Sequence, residues 1–208
     1  MNKWLFPRLA ASNIRKNGQT YLPYLLTCVV TAAVFYIVKS LSLNPGLEQM
    51  VGQDVIAYVM YLGSWVVAFF ACIFLFYTNS FLVRRRMKEL ALFNILGMEK
   101  RHLAKTLAFE ALYTALTGIG GGLLLGVALD KAMFLLIAKV MGANVSLGFF
   151  VSPRAVGATV VLFAVIFSAI FLNTVRQLHV ASPMELMRKG QAGEQEPKAR
   201  WFLALAGI

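Results

Sequence analysis

Residues 55–83 read VIAYVMYLGSWVVAFFACIFLFYTNSFLV, 29 positions without a charged side chain, and Arg84-Arg85-Arg86 follow at once. A helix needs roughly 20 predominantly apolar residues to cross a bilayer. This stretch exceeds that, so it tilts or projects beyond the hydrocarbon. Working outward, Tyr21 to Val38, Thr106 to Leu129 and Ala155 to Val175 are also long and apolar enough to span. A soluble fold would have to hide a chain that is 59% hydrophobic and only 14% charged, far from the usual globular balance. The expected architecture is an all-α membrane protein with four transmembrane helices, plus short interfacial and cytoplasmic helices.

The basic residues set the orientation. Lys3, Arg8, Arg15 and Lys16 precede the first stretch. Arg84, Arg85, Arg86, Lys88, Lys100, Arg101 and Lys105 lie between the second and third. Arg176, Arg188, Lys189, Lys198 and Arg200 follow the fourth. Only Lys39, Lys131, Lys139 and Arg154, of 20 Lys and Arg, fall on the other side. The positive-inside rule then predicts that both termini are cytoplasmic. Anionic lipid headgroups account for the net charge of +11 without a nucleic acid partner. The first stretch follows a basic region as a signal peptide would. Lys39-Ser40-Leu41 is a poor cleavage site, however, and the segment reads as a retained helix. Cys28 and Cys72 both fall inside spans and are expected to pack rather than to pair or bind metal.

Residues 1–20 alternate Trp4, Leu5, Leu9 and Ile14 with Lys3, Arg8, Arg15 and Lys16, the pattern of a cytoplasmic interfacial helix. Residues 21–180 form the four-helix transmembrane domain. Its cytoplasmic loop holds Met87, Leu90, Ala91, Ile95 and Met98 at helical spacing, with Gly97 where a helix would end. A short amphipathic helix, a glycine corner and a new helix starting near Glu99 are expected there. Pattern alone leaves two readings open, a connector packed under the membrane or a docking helix for a soluble partner.

The third span carries Gly118, Gly122 and Gly126 four residues apart. Small residues on one helical face let backbones approach closely in lipid, so these glycines are expected to pack against another helix. Glu110 is an acidic residue near a span interior, which makes it a functional candidate by default. Pairing with a nearby Lys or Arg is the more ordinary role for it. Asp130 and Lys131 mark the outer boundary of this span. After the fourth span, Ser182 and Glu185 match a capping box and Pro183 takes the first helical position. Residues 181–200 are therefore expected to form a cytoplasmic helix and linker, and 201–208 the start of a further transmembrane helix.

No Gly-x-x-x-x-Gly-Lys-Ser/Thr, His-Glu-x-x-His or Gly-x-Ser-x-Gly motif occurs, and the two histidines, His102 and His179, are far apart in sequence. No catalytic residue, metal site or cofactor is expected. Energy for any work must come from another subunit.

Arg86-Met87-Lys88-Glu89-Leu90-Ala91-Leu92-Phe93-Asn94-Ile95-Leu96-Gly97-Met98, then Phe109-Glu110-Ala111 and the glycine-rich span, resemble the FtsX-like permease domain of ABC transporters. Ser182-Pro183-Met184-Glu185-Leu186-Met187 resembles the closing signature of the same domain. Asn13-Ile14-Arg15-Lys16-Asn17 and Phe76-Tyr77-Thr78-Asn79-Ser80-Phe81 look like the bacitracin-export type of permease from Gram-positive bacteria. The resemblance implies a multi-pass protein of the bacterial plasma membrane that pairs with a cytoplasmic ATPase. It also implies export, resistance or sensing of antimicrobial peptides, often with signalling to a histidine kinase. Arg86, Lys88, Glu89, Leu92, Phe93, Leu96 and Gly97 would then form the coupling element that sits on the ATPase. Such permeases have two four-helix units, so this chain is expected to be the N-terminal half, completed by a second permease half or a second copy. The alternative is a non-transporting membrane scaffold or sensor that recruits a histidine kinase or a cell-wall enzyme.

Overall fold

A computed structural model describes residues 5–44, 52–95, 100–140 and 151–180. Five α-helices make up this part of the chain, and no strand occurs among the described residues. They are α1 (Leu5–Lys16), α2 (Gly18–Leu41), α3 (Gln53–Ile95), α4 (Lys100–Val140) and α5 (Pro153–Val180). Three contain segments long and apolar enough to cross a membrane: Gly18–Leu41, Asp54–Arg86 and Pro153–Leu178. In α4, residues 111–129 carry no charged side chain. The closing segment 181–208 and its expected capping box lie outside the described residues.

α1 is amphipathic in three dimensions as in sequence. Arg8, Arg15 and Lys16 are exposed, Ala10 is buried, and Ile14 packs onto the main core. The chain then turns at Asn17, whose carbonyl accepts from Thr20 N–H at 2.9 Å and from Tyr21 N–H at 3.0 Å, so α2 starts almost without a loop.

The segment between the second and third apolar stretches differs from its sequence reading. α3 runs unbroken for 43 residues, about 65 Å at 1.5 Å per residue. The amphipathic segment after Arg86 is thus a continuation of the second apolar stretch, not a separate helix. Charged residues end a hydrophobic run but not a hydrogen-bonded helix, and Arg, Lys, Glu, Leu and Ala all favour continuation. Leu96 to Glu99, including Gly97, lie outside the described residues. α4 likewise continues past Asp130 to Val140.

α2 is the central helix. It packs most extensively on α4, and also on α3 and α5. The main core joins Tyr24, Cys28, Ala32 and Phe35 of α2 to Leu75 and Leu82 of α3 and to Phe163, Phe167 and Ile170 of α5. Phe35 and Phe163 meet edge to face with centroids 6.1 Å apart. A second cluster at the other end gathers Tyr36, Ile37 and Leu41 with Phe134, Ala138 and Ala155.

The α2–α4 seam is a parallel ladder of small residues. A Cβ on Gly118 would lie 2.8 Å from the Cys28 Cβ, one on Gly122 only 2.4 Å from the Ala32 Cβ, and one on Gly126 2.8 Å from the Tyr36 ring. All three glycines therefore work through the absence of a side chain. In hydrocarbon there is no hydrophobic drive between helices, so this backbone approach supplies the packing energy instead. Large apolar side chains, including Trp65, Phe69, Phe74 and Tyr77, are exposed along α3.

Candidate functional site

Arg84, Arg85 and Arg86 are consecutive, but a helix turns about 100° per residue and separates them. Arg84 and Arg85 face outward, and the Arg85 guanidinium stands 4.7 Å from the centroid of the Phe81 ring. Arg86 points into the bundle and is only 5% exposed. Its Nη1 donates to Glu110 Oε2 and to the Tyr21 hydroxyl, and its Nη2 donates to Glu110 Oε1 at 3.2 Å. The pair is bidentate, the strong form of a guanidinium–carboxylate contact.

Glu110 on α4 is 3% exposed and gathers every helix at this end except α5. Its Oε1 also accepts from Asn13 Nδ2 of α1 at 3.0 Å, and its Oε2 from the Tyr21 hydroxyl of α2 at 2.9 Å. α1, α2, α3 and α4 thus meet on one carboxylate. A buried ion pair is better tolerated when further hydrogen bonds reach its polar atoms, and here Asn13 and Tyr21 each donate one to the carboxylate. α3 and α4 touch little elsewhere, so the ion pair is a principal direct tie between them.

A small cavity lies beside the pair, with about 40 Å³ open to the centres of water molecules. Its polar lining includes Asn79, Thr114 and Thr174, and Asn79 Nδ2 donates to Thr174 Oγ1 at 3.1 Å. That is room for about three or four waters at roughly 10–15 Å³ each.

Of the residues expected to form the coupling surface, Arg86 is turned inward and occupied by Glu110. The residue after a long apolar run reads as an interfacial anchor, and only helical phase shows otherwise. Leu75, Leu82 and Arg86 share the buried stripe of α3 at offsets of seven and four. Leu92 is 56% exposed, on the part of α3 beyond the ion pair. Lys88, Glu89 and Phe93 lie on the same helical extension, and their side chains lie outside the described set. Leu96 and Gly97 lie outside the described residues. Gly118, Gly122 and Gly126 face α2. Tyr21 joins the site with no signal of its own in the sequence, and Asn13 stands in the Asn13–Asn17 motif without an assigned role, since both roles depend on α1 and α2 folding back onto α4. Among the described residues no group of His, Cys, Asp or Glu is arranged to hold a metal ion.

The family model for the FtsX-like permease C-terminal domain matches residues 61–180, more than half of the chain and inclusive of Arg86 and Glu110. The chain belongs to the FtsX-like permease family. This FtsX-like permease is 24% identical to the uncharacterized ABC transporter permease YvcS of Bacillus subtilis over 201 residues, covering 95% of the chain and 31% of that relative. It is 26% identical to the bacitracin export permease protein BceB of Halalkalibacterium halodurans over 164 residues, 79% of the chain and 25% of the relative. BceB of Bacillus subtilis is 22% identical over 198 residues, 95% of the chain and 31% of the relative. The chain spans about a third or less of the length of these curated relatives.

Proposed function

We propose that this permease chain is the membrane-embedded coupling half of an ABC transporter in the bacterial plasma membrane. In this reading α2, α3, α4 and α5 all cross the bilayer, both ends of the chain face the cytoplasm, and a separate ATPase supplies the energy. The observation that carries it is the unbroken α3. One rigid helix runs from the bundle past the Arg86–Glu110 tie to an exposed Leu92, so force applied near Leu92 reaches α4 through a buried ion pair.

The orientation is supported by charge. Arg8, Arg15, Lys16, Arg84, Arg85, Arg101 and Lys105 are exposed at the same end of the bundle, suited to an anionic leaflet. The relatives named as bacitracin export permeases favour a peptide antibiotic as the substrate exported or sensed. Their greater length favours a second permease half as partner, and a histidine kinase is a further partner in the sensing case.

The Leu92 side of α3 is the contact for the ATPase. Replacing Glu89 and Leu92 together by Ala should abolish co-purification with the cognate ATPase while leaving the permease in the membrane at normal abundance. Unchanged association would contradict the assignment.

A further inference from the structure

The glycine seam has one more rung. Cys28 faces Gly118, Ala32 faces Gly122 and Tyr36 faces Gly126, and the next step along both helices brings Ser40 to Asp130. Ser40 Oγ donates to Asp130 Oδ2 at 3.1 Å. Ser40 and Tyr36 are fully buried and Asp130 is 4% exposed. Asp130 Oδ1 and the Tyr36 hydroxyl are both buried without a hydrogen-bond partner among the described residues.

An ionised carboxylate offers about four acceptor sites and is costly to bury unless it is paired. Asp130 has one neutral donor and no ion pair with a described Lys or Arg. The contrast with Glu110, which has a guanidinium and two further donors, is internal to the same helix. Other titratable or charged groups at this end are Lys39 of α2, Lys131 and Lys139 of α4, Asp54, Tyr58 and Tyr61 of α3, and Arg154 of α5. Lys39 Nζ is placed over the Tyr61 ring, 4.9 Å from its centroid.

We propose that Asp130 is a protonation site, its carboxyl holding a proton while the seam is closed and losing it to water when α2 and α4 part at this end. The ligand is a proton, and the site reports closure of the end opposite the Arg86–Glu110 pair. Burial pushes the Asp130 carboxyl above its ordinary range, and the Ser40 hydroxyl partly opposes that. A carboxyl raised on folding contributes stability that is complete below its unfolded value of about 3.9 and is lost as pH rises through the higher folded value. The closed seam should therefore loosen as pH rises.

Infrared spectroscopy of the permease chain in lipid nanodiscs tests this directly. A protonated-carboxyl C=O stretch should be present above the pH at which an ordinary aspartate ionises, disappear in Asp130→Asn and persist in Glu110→Gln. Ser40→Ala, which keeps the acid but removes the hydrogen bond to its anion, should move the titration to higher pH. That variant also carries the test if Asp130→Asn fails to fold. Absence of the band above that pH, or its survival in a folded Asp130→Asn, would overturn the proposal. So would a band that is lost on adding sodium but not choline at constant pH, since that outcome gives the site to a metal cation.

Discussion

Removing the Glu110 carboxylate leaves the Arg86 guanidinium, the Tyr21 hydroxyl and the Asn13 amide without their shared acceptor inside the bundle. Breaking a buried pair from one side costs about 3–5 kcal/mol, because the surviving charge stays desolvated. Glu110→Ala should lower unfolding stability in detergent by that amount. A loss of about 1 kcal/mol or less, the value of an exposed pair, would show that water reaches the site. The double replacement Arg86→Met with Glu110→Leu should be less damaging than Glu110→Ala, since it removes both charges and fills the space. A double variant at least as unstable as the single one would contradict this. Asn13 and Tyr21 could not be assigned from sequence because their partner is about 90 positions away.

At the scale of helices, the sequence announces the seam through three glycines at four-residue spacing, while their counterparts Cys28, Ala32 and Tyr36 look like ordinary span residues. Gly120 and Gly122 differ sharply in surroundings: a Cβ on Gly120 meets nothing within 4 Å, whereas one on Gly122 also comes within 3.0 Å of the Val29 carbonyl oxygen. The backbone at Val29 and the short Ala32 side chain cannot swing aside. Gly122→Ala should therefore destabilise the bundle by about 1–3 kcal/mol, as overpacking does. Gly120→Ala should be neutral or mildly stabilising, because alanine favours a helix over glycine by about 1 kcal/mol. Thermal midpoints in one detergent check both, and equal effects would show that glycine content rather than close approach matters. The continuity of α3 was less legible than the seam. Hydropathy falls abruptly at Arg84 while backbone hydrogen bonding does not, so the apolar boundary is not a structural one.

For the whole molecule, sequence length and charge were informative because a bilayer restricts a spanning chain to few forms. All-helical architecture follows from apolar length, and the clustering of exposed cations at one end of the bundle follows from the bias in Lys and Arg. What linear pattern could not supply was which helices touch, and so which contact ties α3 directly to α4. Under the proposed topology, cysteines replacing Arg85 and Arg101 should react with impermeant thiol reagents only from the cytoplasmic side, and one replacing Asp54 only from outside. Labelling of Arg85→Cys from outside would reverse the orientation and remove the ATPase from the α3 tip.

The force path itself is tested by a spin label at Leu129, which is exposed on α4 far from the proposed ATPase contact. In the assembled permease–ATPase complex, ATP should change the mobility of that label in the wild type. The change should be clearly reduced in a folded, ATPase-bound Glu110→Gln variant, because α3 then acts on α4 only through its packing on α2. An ATP response of full size in that variant would contradict transmission through the Arg86–Glu110 pair.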